Sequence, residues 1–215
     1  NTNSTATRTI TLDTVKPSIT NIAESPTDPV TYVSGATYRF NATITDTNLD
    51  KVLIEFDGTN YTPGTNFGGG IKNFTITDLA AGTHNYFWFA NDSAANVNVS
   101  SQTYTINNAT GNITLLINGS AANQTAAYGT QTNASATTLF GGVTLFRNGT
   151  DVTSQNNVLT TLAVGFYNYT GVSNGDGNHS SASATFFVTI SKANSVVNLT
   201  FNGTDGNVTI VQDSS

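Results

Sequence analysis

The chain has 215 residues, room for one large domain or two small ones. Only 9% of residues are charged, the formal net charge is −6, and the seven Lys and Arg are scattered, which argues against nucleic acid and anionic membrane as partners. There is no cysteine, so disulfides and thiolate metal sites are excluded, and no apolar run approaches the roughly 20 residues of a membrane span.

The polar surface comes from 39 Thr, 18 Ser and 28 Asn. These residues are mediocre in helices and suit strands and turns. Twelve Phe, eight Tyr and one Trp, spaced at regular intervals, argue against disorder. In chain order, “TATRTITLDT” (5–14) is an orphan strand in which Ile10 and Leu12 alternate with polar residues. “PSITNIAE” (17–24) follows. In “ATYRFNATITD” (36–46), Tyr38, Phe40, Ala42 and Ile44 share one face. “KVLIEFDG” (51–58) ends in a turn, and “IKNFTITDL”, “THNYFWFAN” and “SSQTYTIN” supply three more strands up to residue 107. The rhythm then repeats through “NITLLING”, “QTNASATT”, “GVTLFRNG”, “VLTTLAV”, “FYNYTGV” and “SATFFVTI”. Six or seven strands at roughly ten-residue spacing are the rhythm of a β-sandwich, and no window shows helical periodicity.

The chain also repeats itself. Residues 103–120 align with 187–204, pairing Leu115 with Leu199 and Asn118-Gly119 with Asn202-Gly203. “LAAGTHNYF” (79–87) matches “LAVGFYNYT” (162–170), and “IEFDGT” (54–59) matches “LFRNGT” (145–150). The reading is an all-β chain of two tandem sandwiches, 15–107 and 108–192. Residues 1–14 match the last strand of a preceding module or a donated strand, and 193–215 match the first strands of a following one. The chain begins with Asn1 and has no signal-peptide h-region, so it reads as processed or as a window cut from a longer protein.

“LAAGTHNYFWFANDSAANV”, with its Leu, Gly, alternating aromatics and Ala-x-Asp turn, resembles tandem bacterial and archaeal immunoglobulin-like surface repeats. “TITLDTVKPSITNI” resembles the junction between such modules. The resemblance implies immunoglobulin-like sandwiches working in stalks, surface layers, filaments or adhesins, and no catalytic residues. His84 departs from it, standing where an aromatic such as Tyr167 is expected, which puts the tyrosine-corner hydrogen bond of the first module in doubt.

Seventeen Asn head N-x-S/T triplets without Pro: Asn3, Asn41, Asn60, Asn73, Asn91, Asn98, Asn108, Asn112, Asn118, Asn123, Asn133, Asn148, Asn168, Asn178, Asn198, Asn202 and Asn207. From the 57 Ser and Thr, chance gives about seven or eight, so the excess is about twofold. All seventeen are candidate glycosylation sites, and a hydrated sugar coat would substitute for the missing surface charge. Asn118, Asn148 and Asn202 also have a purely structural explanation, because Asn-Gly forms turns.

The strand alternation points Leu53, Phe87 and Phe89 outward as an apolar patch, unless the loop “TPGTNFGGG” folds over them; Phe146, Phe166 and Phe187 raise the same question more weakly. Leu53, Phe87, Phe89, Ile10 and Leu12 are the candidate subunit contacts. “GVSNG” (171–175) matches G-x-S-x-G but lacks the following helix that a nucleophile elbow needs. “DTNLD” (46–50) resembles a calcium loop, but Lys51 stands where Gly is required; a looser site through Asp46, Asn48 and Asp50 stays open. Lys16 and Lys192 are candidates for Lys–Asn crosslinks. No cofactor and no metal are expected.

These readings make the chain a non-enzymatic structural component of an extracellular filament, stalk or surface layer. Its expected partners are covalent glycans and other copies of itself or neighbouring modules. Assembly is by a continuous chain or by donation of strand 5–14. The alternative is an adhesin binding sugar or a host surface through loops 58–70 and 173–180, with Tyr61, Phe67 and His179 as pointers.

Overall fold

A computed structural model describes residues 12–64, 69–195, 200–201 and 203–205. It divides into two compact units: residues 1–112 with 140–142 and 173–182, and the remainder. Ile10, Asn3, Phe67, Asn198, Asn202 and Asn207 lie outside the described residues.

The first sandwich is built from β1 (Ser18–Ser25), β2 (Val30–Thr31), β3 (Thr37–Thr45), β4 (Leu49–Phe56), β5 (Thr59–Tyr61), β6 (Ile71–Thr77), β7 (Gly82–Asp92) and β8 (Val97–Asn107). One sheet has the order β1-β3-β6 and the other β2-β8-β7-β4-β5. The chain passes from the first sheet to the second between β1 and β2, where Ser25-Pro26 and Asp28-Pro29 are cis. There β2 runs parallel to β8, while β4, β7 and β8 are antiparallel neighbours. Two sheets sharing strands in this order are the immunoglobulin arrangement.

The alternation in the sequence places the core. Tyr38, Phe40, Ala42 and Ile44 of β3 are buried, and so are Ile54 and Phe56 of β4 and Tyr86, Trp88 and Ala90 of β7. The Phe40 ring lies 4.8 Å from Tyr86, 5.1 Å from Phe56 and 5.2 Å from Tyr104, centroid to centroid. Each such ring, once buried, contributes roughly 1.5–3 kcal/mol of transfer free energy. Tyr104 donates to the Pro26 carbonyl at 2.8 Å, and burial pushes its phenol up to about 12. Tyr86 donates to Glu24 Oε1 at 2.7 Å and is likewise raised, by burial first and by Glu24 second.

The second sandwich repeats the plan with β9 (Thr114–Ile117), β10 (Gln124–Ala127), β11 (Gln131–Thr132), β12 (Ala134–Thr137), β13 (Val143–Arg147), β14 (Thr150–Asp151), a 3-10 turn at Thr153–Gln155, β15 (Thr160–Thr161), β16 (Gly165–Ser173) and β17 (Ala182–Ser191). The order β10-β17-β16-β13-β14 matches the larger sheet of the first sandwich, including a parallel edge strand, β10 on β17. Leu115, Ile117, Leu145, Tyr169, Val188 and Ile190 form its core. A short hairpin of β18 (Thr200–Phe201) and β19 (Thr204–Asp205) follows.

Asp57-Gly58, Asn118-Gly119 and Asn148-Gly149 all have positive φ at both residues, +46° and +79°, +50° and +78°, and +50° and +78°. That is the hairpin turn whose twist matches antiparallel strands. Asn118 and Asn148 therefore serve the fold as turn residues, whatever else they carry.

Candidate functional surfaces

The outer face of the larger first-sandwich sheet is a small grid. Register sets Lys51 beside Asn91 and Val97, Leu53 beside Phe89 and Val99, and Glu55 beside Phe87 and Ser101. Asn60 of β5 extends the Glu55 row. Lys51, Leu53, Glu55, Asn60, Phe87, Phe89 and Val99 line a shallow depression of about 420 Å³. The outward direction expected for Leu53, Phe87 and Phe89 is what the pleat gives, but all three are half-buried, shielding one another, whereas Val99 is 52% exposed. The described ends of the loop expected to cover them are tied elsewhere. Gly64 exchanges backbone hydrogen bonds with Asn73 on β6, and the Gly70 carbonyl accepts from Ile44 N on β3, both in the opposite sheet. Leu12 is 81% exposed. In the second sandwich Phe166 and Phe187 stack at 5.2 Å on the outer face and both are exposed, while Phe146 is half-buried.

The triplet asparagines sort by what holds their amides. Asn73 gives its Nδ2 to Asn41 Oδ1, directly across the strand pair, at 2.6 Å. Asn91 Nδ2 donates to Asp50 and to the Asp92 carbonyl, Asn98 Nδ2 to the Pro17 carbonyl, Asn108 Nδ2 to the Gly177 carbonyl and Asn133 Nδ2 to Asn157. The opposite orientation, with Oδ1 held by a backbone N–H, occurs at five positions, one of them Asn178, whose Oδ1 accepts from Ala81 N at 2.8 Å. Asn118 Oδ1 accepts from Asn133 N, Asn123 Oδ1 from Phe187 N, and Asn148 and Asn168 accept reciprocally from each other's backbone N–H. Fixing Oδ1 in this way turns Nδ2, the atom that bears an N-linked sugar, away from the anchoring backbone. Asn60 is exposed, and Asn112 and Asn178 are half-buried.

His84 resolves the doubt over the tyrosine corner of the first module. In the second sandwich Tyr167 donates its hydroxyl to the Ala163 carbonyl, four residues upstream, at 3.0 Å. His84 Nε2 lies 3.0 Å from the Ala80 carbonyl at the same spacing, and its Nδ1 lies 2.6 Å from Asp57 Oδ2. Asp57 also accepts from Asn85 N, so one carboxylate ties the β4–β5 turn to the start of β7. The imidazole stacks on Phe56 at 5.7 Å. The corner acceptor is the local Ala80 carbonyl; what the sequence did not show is that an imidazole can reach it in place of a phenol, with Asp57 of the β4–β5 turn holding the other ring nitrogen.

Acidic residues gather differently from the 46–50 site that the sequence left open. The carboxylate oxygens of Asp13, Asp46 and Asp92 lie within 4.8 Å of one another, and among the described residues this is the group that could hold a divalent cation. Asp50 is instead engaged with Asn91. The three carboxylates also act as local ties. Asp46 accepts from Asn48 N, Asp13 from Asn48 Nδ2, and buried Asp92 from Ala94 N, Asn96 N and Asn96 Nδ2. The Asn96 side chain and these backbone donors hold the Asp92 carboxyl below the usual range.

The remaining sequence candidates are absorbed by structure. Ser173 of “GVSNG” is buried, donates to the Phe140 carbonyl at 2.9 Å and accepts from Gly175 N, locking a turn that leads to β17, a strand. His179 stacks on Phe140 at 3.4 Å and pairs with Asp176 at 2.8 Å, and Tyr61 packs on Phe74 at 4.8 Å. Two of the three adhesin pointers thus have intramolecular roles. Lys16 and Lys192 are exposed, whereas an amine that attacks an amide must lose its charge, which burial favours.

No family model and no curated protein matches this sequence. Among solved structures, the fibronectin(III)-like modules of Clostridium thermocellum CbhA are 16% identical, cover 81% of this chain and 95% of their own, and have a TM-score of 0.31. The N-terminal two-domain Ig module of Drosophila receptor protein tyrosine phosphatase DLAR is 14% identical, with 81% and 98% coverage and a TM-score of 0.35. A titin tandem of two Ig domains is 13% identical, with 83% and 98% coverage and a TM-score of 0.35. The fold assignment rests on the strand order above. No described helix is long and apolar enough to cross a membrane.

Proposed function

We propose that this chain is a structural segment of an extracellular filament, stalk or surface layer of bacterial or archaeal type, built from tandem immunoglobulin-like modules and coated with N-linked sugar. One observation carries the reading. Two sandwiches with few charges present triplet asparagines whose Oδ1 is pinned by backbone N–H and whose Nδ2 is turned out. Such a surface gains from a covalent hydrated coat what it lacks in ionic solvation. Subunits join through a continuous chain or through donation of strand 5–14, in which case Leu12, exposed here, enters a neighbour's core.

Glycopeptide mapping of the native protein tests the coat. Sugar is expected at Asn118, Asn123, Asn148 and Asn168, and not at Asn73, Asn98 or Asn133, whose Nδ2 atoms are spent inside the fold. Unmodified asparagine at all four of the expected positions would overturn it. The intact mass of the native polypeptide separates the two modes of assembly: about 22.5 kDa plus sugar for donated strands, a much larger mass for a continuous array.

A further inference from the structure

The grid on β4, β7 and β8 has a feature that a simple apolar patch lacks. Along β4 the outward residues are Lys51, Leu53 and Glu55, with the two charges equally spaced about Leu53. The middle row, Leu53, Phe89 and Val99, is wholly apolar. The chain has only two Glu and four Lys, and neither Lys51 nor Glu55 has an ion-pair partner among the described residues.

We propose that this face is the seat of a second copy of the chain, packed sheet to sheet about a two-fold axis that crosses the strands at the Leu53 row. A rotation about that axis reverses the strand direction and keeps the lateral order. Leu53, Phe89 and Val99 of one copy then meet the same residues of the other. Lys51 of each copy faces Glu55 of its mate, so every charge is paired and the dimer holds two such pairs. The other two-fold, along the strands, lays β4 over β8. It sets Lys51 on Val97 and Glu55 on Ser101, leaving both charges desolvated and unpaired, which costs more than it gains. Charge therefore selects one geometry, and the contact is isologous. Three strands by three rows is well below the size of a stable standard interface, so the contact is weak for one module and gains strength by repetition along an array.

This inference rests on the reading of the chain as a self-associating structural module. Sedimentation equilibrium of the 215-residue chain over a wide concentration range tests it. Reversible dimerisation is expected. Lys51→Glu and Glu55→Lys alone each place like charges opposite one another twice and raise the dissociation constant by about tenfold or more. The double reversal K51E/E55K restores the pairing and returns it to near the wild-type value. Mixing the two single variants likewise yields a heterodimer tighter than either homodimer. These are surface changes on a strand, and near-ultraviolet dichroism reports whether each variant stays folded. A wild-type chain that is monomeric throughout, or a double variant as weak as the singles, overturns the proposal. So does sugar at Asn60 or Asn91 in the native protein, which would occupy the face. That last result would support the extracellular reading while removing this contact, so the two fail separately.

Discussion

His84 and Tyr167 do the same work with different chemistry. Each reaches back four residues to a carbonyl, and His84 adds a carboxylate partner. Replacing His84 by Ala removes both hydrogen bonds and the stack on Phe56, and is expected to cost about 1–2 kcal/mol. His84→Tyr restores the corner and should lie within about 0.5 kcal/mol of wild type. Urea unfolding followed by the fluorescence of the single tryptophan, Trp88, measures both; equal losses for the two variants would refute the substitution of one corner for the other. The buried tyrosines add a pH dependence. Tyr86 and Tyr104 have folded pKa values raised above the ordinary value near 10, so the unfolded chain sheds their protons first. Both contributions are intact below pH 10; that of Tyr104 is lost as pH rises through about 12, and that of Tyr86 at still higher pH. Ultraviolet tyrosinate absorbance should therefore show a late fraction that ionises together with the change in Trp88 fluorescence. All eight tyrosines ionising near pH 10 in a chain that stays folded would contradict this.

At the scale of elements, what was legible followed from local periodicity. Tyr38, Phe40, Ala42 and Ile44 could be placed inward from alternation alone, and all four are buried. The Asn-Gly hairpins were legible because only a few residue types tolerate positive φ. Gly149→Ala should thus destabilise by about 1 kcal/mol, because φ there is +78°; a neutral effect in thermal unfolding would show that the turn is not held in this form. Phe40→Ala should cost about 3–5 kcal/mol, since four aromatic rings surround Phe40. Calorimetry giving a loss below about 1 kcal/mol would mean the core is not packed as described. Pairing between distant segments was not legible. The two-residue β2 and the four-residue β10 exist through parallel pairing with β8 and β17, which leaves no mark of its own on a short stretch of sequence. The group of Asp13, Asp46 and Asp92 was hidden for the same reason, because its members come from three separate parts of the chain. The triplets were visible as a motif, but which amide atom each Asn spends inside the fold depends on neighbours that no triplet records.

At the scale of the molecule, composition and architecture support one account. A chain with 9% charged residues needs another source of surface hydration, and repeated sandwiches with outward asparagine amides offer attachment points for one. The same scarcity of charge makes the Lys51–Glu55 pair on one strand face stand out. The central claim, an extracellular structural module bearing N-linked sugar, is tested most directly by releasing the native protein from intact cells by surface proteolysis and mapping its glycopeptides. The account predicts release from intact cells, with sugar on Asn118, Asn123, Asn148 and Asn168. A chain that stays protected inside the cell and carries unmodified asparagine at all four positions would contradict it.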